Sequence, residues 1–132
     1  MKNKIVWGAR LLAAAILLQT LYFKFSGAPE SIYIFKTLGA EPWGRWFAGG
    51  SELIASILLL IPATYLFGCL MAIGIMAGAI LSHLFVLGLA VQDDGGLLFS
   101  LALVVLSCAL LILVLRKEEL LKKIGGLLGR VE

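Results

Sequence analysis

LLFSLALVVLSCALLILVL, running from Leu97 to Leu115, decides the class of this protein: 19 consecutive residues carry no charge. A bilayer core is crossed by about 20 helical residues, so this stretch has the length and composition of a membrane span. A strand reading is excluded. The apolar run is continuous rather than alternating, and backbone groups in lipid must be satisfied within their own segment. Working backwards, similar runs occupy about 67–91, 47–66 (with Pro62 kinking or ending the helix) and 5–23. The 132-residue chain is 61% hydrophobic and 14% charged, against about half and one quarter in soluble domains. With a mean hydropathy of +1.05, lipid rather than a core must solvate the excess. The sequence therefore predicts an all-α, up-down bundle of four transmembrane helices over 1–116, followed by a tail over 117–132.

Two residues stand out inside those runs. Between 47 and 91, Glu52 and His83 are the only ionisable side chains apart from Tyr65 and Cys69. A charge in hydrocarbon costs a few kcal/mol or more, so such groups turn inward and mark a site. Two readings stay open: a functional polar pocket, or a structural pair that locks the helices.

Basic residues set the expected orientation. Lys2 and Lys4 precede the first span, and Arg116, Lys117, Lys122, Lys123 and Arg130 follow the fourth. The first loop has Lys24, Lys36 and Arg45, offset in part by Glu30 and Glu41. Seven basic residues against three put both termini in the cytoplasm. Trp7 and Tyr65 then belong to the inner interface, and Tyr22, Tyr33, Trp43 and Trp46 to the outer one. Arg10 interrupts the first apolar run and no small-residue cleavage site follows, so that segment reads as a retained anchor.

The connecting segments also have a pattern. Ser26-Gly27-Ala28-Pro29 should break the first helix, and Ser31 should cap a short surface helix that ends at Gly39. This helix either lies on the outer surface or folds back as a lid. The tail places Leu120, Leu121, Ile124, Leu127 and Leu128 on one face, with Lys122 and Lys123 elsewhere. It reads either as a basic amphipathic helix on anionic headgroups or as a charged tail that serves topology alone.

Helical rise sorts the polar groups by depth. Glu52 lies roughly 7 Å and His83 roughly 12 Å below the outer ends of their spans; Gln19 is roughly 6 Å inside, and Lys24 is at the boundary. Arg10 is roughly 20 Å further in. The candidate pocket residues are thus Glu52, His83, Lys24, Arg10 and Gln19: the first three form the expected cluster, Arg10 shares the Lys24 face, and Gln19 points nearly the opposite way. Ala48, Ala55 and Ser56 flank Glu52, and Ala72, Met76 and Ala79 share the His83 face. Gly74, Gly78 and Ser82 form a small-residue stripe suited to close helix approach.

Arg10 early in the first span, Phe25-Ser26-Gly27, Leu38-Gly39, Pro42, Gly49-Gly50-Ser51-Glu52 and then His83 resemble the DoxX family of small bacterial membrane proteins. The resemblance extends to about Arg116. It implies a bundle in the cytoplasmic membrane, with Arg10, Lys24, Glu52 and His83 at the family's characteristic polar positions. It also implies links to quinol oxidase, thiosulfate:quinone oxidoreductase and oxidative-stress systems. Related eukaryotic proteins look like assembly or trafficking factors.

Chemistry narrows the options further. A quinone headgroup needs a donor or acceptor at each carbonyl and a proton route, which a carboxylate and an imidazole can supply. The expected function is a quinone-associated accessory subunit of a membrane redox system, with membrane lipids, a lipophilic small molecule and a partner redox subunit or homo-oligomer as partners. The alternatives are a non-enzymatic assembly factor and, last, a proton-coupled carrier. No covalent cofactor, metal site or nucleic-acid patch is expected. Glu52, His83, Asp93 and Asp94 make a poor metal set, because the Asp pair suits a turn. Cys69 and Cys108 are offset along the normal and read as packing residues. No complete catalytic constellation is present.

Overall fold

The structure, a computed structural model, describes residues 2–131, with side chains only to Gly129; the side chain of Arg130, one of the basic groups counted in the tail, lies outside the described residues. Within them the chain forms six α-helices and one π-helical turn, and no strand. The helices are α1 (Lys2–Ser26), α2 (Pro29–Thr37), α3 (Trp43–Leu60), α4 (Tyr65–Ser82), α5 (Leu97–Leu115) and α6 (Lys117–Val131). The π turn, His83–Leu87, continues α4. Three helical units are long and apolar enough to cross a membrane: α1, Tyr65–Leu87 and α5.

Four long helices close a ring. α1 packs on α3 and α5, and α4 packs on the same two from the other side. Contacts fix their directions. Arg10 meets Leu59 and Lys24 meets Glu52, so α1 and α3 are antiparallel. Arg10 also lies over the Tyr65 ring, so α4 begins at the end where α1 began. Arg116 returns α5 to the same end, hydrogen-bonded to Asn3.

The core along this ring is built from small side chains. Ala13, Ala55, Ala72, Ala109, Ser56 and Cys69 are fully buried, and Leu17, Leu59, Leu66 and Val105 fill the gaps between them. The large apolar residues face outward instead: Leu11, Leu12, Ile54, Ile57, Leu70, Leu110, Leu111 and Val114 are all exposed. A soluble protein does not tolerate so continuous an apolar exterior, whereas a membrane protein requires one. Both cysteines are free.

Helix ends explain several of the buried polar groups. Pro62 has no N–H, so the last carbonyls of α3 need other donors. Arg10 Nε donates to Leu59 O at 2.6 Å and Thr64 Oγ1 to Leu58 O at 3.0 Å. At the opposite end of the bundle, Arg45 Nη1 donates to Lys24 O in the last turn of α1. In both cases a guanidinium sits where the helix dipole is negative.

The short second helix differs from expectation at its start. Ala28 occupies the cap position and Pro29 opens the helix, and Ser31 lies inside it, buried, making no cap hydrogen bond. Proline is preorganised for the first helical position, so no capping hydroxyl is required. α2 folds over the bundle against α1, α3 and the π turn rather than lying apart from it.

Candidate functional site

The polar residues of the sequence divide between two cavities at opposite ends of the ring. The larger is about 590 Å³ and lies beneath α2, walled by α1, α3, α4 and α5. Its size is that of a small-molecule pocket. Thr20, Lys24, Glu52, His83 and Asp94 line it among mostly apolar neighbours such as Leu17, Ile34, Phe35, Ile75, Met76 and Leu101. Phe47, Gly74 and Gly78 also line it and are exposed, so the cavity opens sideways between α3 and α4. Small residues on α4 create that gap.

Glu52 is 3% exposed and fully committed on one side. Its Oε1 lies 2.9 Å from Lys24 Nζ, and its Oε2 accepts from Thr20 Oγ1 at 2.9 Å. Thr20 Oγ1 is also 3.0 Å from Leu17 O, and its one proton serves one acceptor at a time. Lys24 keeps further donor protons for a ligand, and the carboxylate keeps lone pairs.

His83 stands on a different wall and does not touch Glu52. It is 5% exposed, its ring edge-on to Phe99 with 5.6 Å between centroids. Nδ1 donates to Gly88 O at 3.0 Å, since a carbonyl can only accept; this leaves Nε2 as the free ring nitrogen. The π turn makes that bond possible. Gly88 N donates to His83 O at 2.8 Å, five residues back, so residues 83 and 88 are latched twice. Gly88 has φ 80° and ψ 172°, a conformation open essentially to glycine alone. Helix bulges of this kind recur at functional positions because they re-aim a side chain.

Asp94 closes the third side. Its Oδ1 accepts from Val91 N and Gly96 N at 3.0 and 2.8 Å, and Oδ2 from Leu98 N at 3.2 Å. Burial pushes this carboxyl up, but the backbone N–H groups of Val91, Gly96, Leu98 and Leu97 outweigh it and hold its pKa below the ordinary value. It is an anchor of the loop rather than a free acid.

Of the five residues expected in one pocket, Lys24, Glu52 and His83 share this cavity. Arg10 does not. It lines a separate cavity of about 340 Å³ with Asn3, Trp7, Tyr65, Arg116 and Glu119, because fourteen residues of helix, roughly 21 Å, separate it from Lys24. Gln19 lines neither cavity; it is exposed on the outside of α1. Two contributors to the larger cavity were not anticipated, Thr20 and Ser31, and Arg45, which lines neither cavity, is buried beside the end of α1. Arg45 looked like loop charge, yet it is buried and pairs with Glu41 at 2.9 Å; the i,i+4 spacing of those two was its one sequence signal.

Among the described residues no group of three or more His, Cys, Asp or Glu side chains is placed to hold a metal ion. The fold and site together define a small all-helical membrane protein with an internal cavity that opens sideways. Comparison with family models, curated proteins and solved structures finds no match.

Proposed function

We propose that the chain is a four-span, DoxX-type protein of a bacterial inner membrane, with both termini cytoplasmic, that holds a quinone-class ligand as an accessory subunit of a membrane redox system. Three helices supply the apolar length. The fourth span is α3, which is less apolar because it carries Arg45, Glu52 and Ser56, all buried against other helices. Since α1 and α4 start at the same end, the chain has to recross through α3. The basic residues gathered at the terminal end of the bundle support the orientation.

The single observation that carries the functional reading is the larger cavity itself. It combines an apolar body, a sideways opening toward lipid, and two polar stations on separate walls: Lys24–Glu52–Thr20 and His83. A flat dicarbonyl with a hydrocarbon tail matches each of those features. Its tail leaves through the gap beside Phe47, Gly74 and Gly78. One oxygen takes a proton donor from Lys24, and the other, reduced to the hydroxyl of the quinol, donates to the free Nε2 of His83. Electrons come from a partner subunit, because the chain's own groups bind and move protons only.

Glu52→Gln and His83→Asn preserve shape while changing charge or hydrogen bonding. Each should weaken binding of a short-chain quinol about tenfold, the loss of one hydrogen bond to a charged or strongly polar group. Binding is measured by fluorescence quenching in nanodiscs, alongside thermal unfolding. Unchanged affinity in both folded variants removes the quinone reading. A stoichiometric protein partner with no bound small molecule would turn the account toward an assembly factor.

A further inference from the structure

We propose that the smaller cavity, at the terminal end of the bundle, binds a phosphoryl oxyanion between Arg10 and Arg116, a second site independent of the quinone reading. Arg10 is 2% exposed. Its Nε is used by Leu59 O, and its flat face lies 3.8 Å from the Trp7 ring centroid and 4.5 Å from that of Tyr65. What remains free is the in-plane edge, where Nη2 is buried with no hydrogen-bond partner. Arg116 presents the same feature from the turn between α5 and α6. Its Nη2 donates to Asn3 Oδ1, while its Nε is buried and unpartnered. Both residues line the 340 Å³ cavity.

Buried guanidinium donors without acceptors are rare, and two from separate elements lining one cavity define a receptor. The carboxylate in the wall does not answer them: Glu119 Oε2 accepts from Tyr65 OH at 2.8 Å, and among the described residues no ion pair joins Glu119 to either guanidinium. Two guanidiniums against one carboxylate leave a net charge of +1, and Lys123 Nζ, 6.0 Å from the Tyr65 ring, adds a further cation nearby. A water molecule can quiet one donor but neutralises nothing. A phosphoryl group has several acceptor oxygens, carries negative charge and fits the planar fork of arginine. The source is either the phosphodiester of an anionic lipid headgroup or free phosphate.

The test uses the full chain, delipidated in a phosphate-free maltoside detergent, with binding followed by native mass spectrometry. One arm adds inorganic phosphate and the other a short-chain phosphatidylglycerol. Binding in the first arm assigns free anion, and binding in the second alone assigns the headgroup. In whichever arm binds, Arg116→Gln should weaken retention about tenfold, while Lys117→Gln, an exposed neighbour of equal charge, should leave it unchanged. No binding in either arm, or Arg116→Gln binding like the parent, overturns the proposal. If Arg116→Gln does not fold, Glu119→Gln carries the test, because its amide oxygen still accepts from Tyr65. Tighter binding supports the site, and equal or weaker binding overturns it.

Discussion

Replacing Lys24 with methionine is expected to destabilise the folded protein by about 3–5 kcal/mol, the range for removing one member of a buried ion pair. Glu52 would keep only its bond from Thr20, in a pocket where it is 3% exposed. The penalty comes from the acid left behind rather than from the lysine removed. The double variant Lys24→Met with Glu52→Leu should therefore recover to within about 1 kcal/mol of the parent, since apolar replacements of a whole buried pair are commonly neutral. Unfolding titrations with a denaturing detergent measure both. A double variant as unstable as Lys24→Met alone would show that the pair itself, not the charge left behind, sets the stability.

Gly68→Ala is the second large effect. A methyl group there would stand 2.8 Å from Leu59 N and 3.0 Å from Leu58 C, both backbone atoms that no rotamer change can move aside. α3 and α4 would have to separate, and the Arg10–Leu59 bond at 2.6 Å would stretch with them. The expected loss is about 3 kcal/mol, the upper part of the range for overpacking. Gly74→Ala serves as the control, because nothing lies within 4 Å of its methyl position. It should be neutral or slightly stabilising through helix propensity. Equal effects at both positions in thermal unfolding would contradict the close-contact argument.

These contacts also show what the residues disclosed in advance. α5 was readable to its last residue, because an uncharged run needs no knowledge of its neighbours. The meeting of Lys24 and Glu52 followed from helical rise alone. The start of α3 was less legible. The apolar run begins at Phe47, whereas the helix begins at Trp43, since Arg45 is drawn inward by the open carbonyl of Lys24 and by Glu41. That attraction depends on where α1 ends, which no local pattern states. His83 is similar. Its depth was accessible, but its orientation depends on a π turn and on Gly88, and a glycine after a helix does not announce a shift from four- to five-residue bonding. The separation of Arg10 from the pocket was implied by its depth, and its burial between two aromatic rings was not.

The central claim is that one cavity beneath α2 holds a lipophilic dicarbonyl between Lys24–Glu52 and His83. A density map of the protein purified gently from its native membrane tests it most directly. The account predicts elongated density inside the ring, its flat head between Glu52 and His83 and its tail leaving past Gly74 and Gly78. Close-packed side chains filling that space, with Glu52 and His83 turned toward lipid, would contradict it.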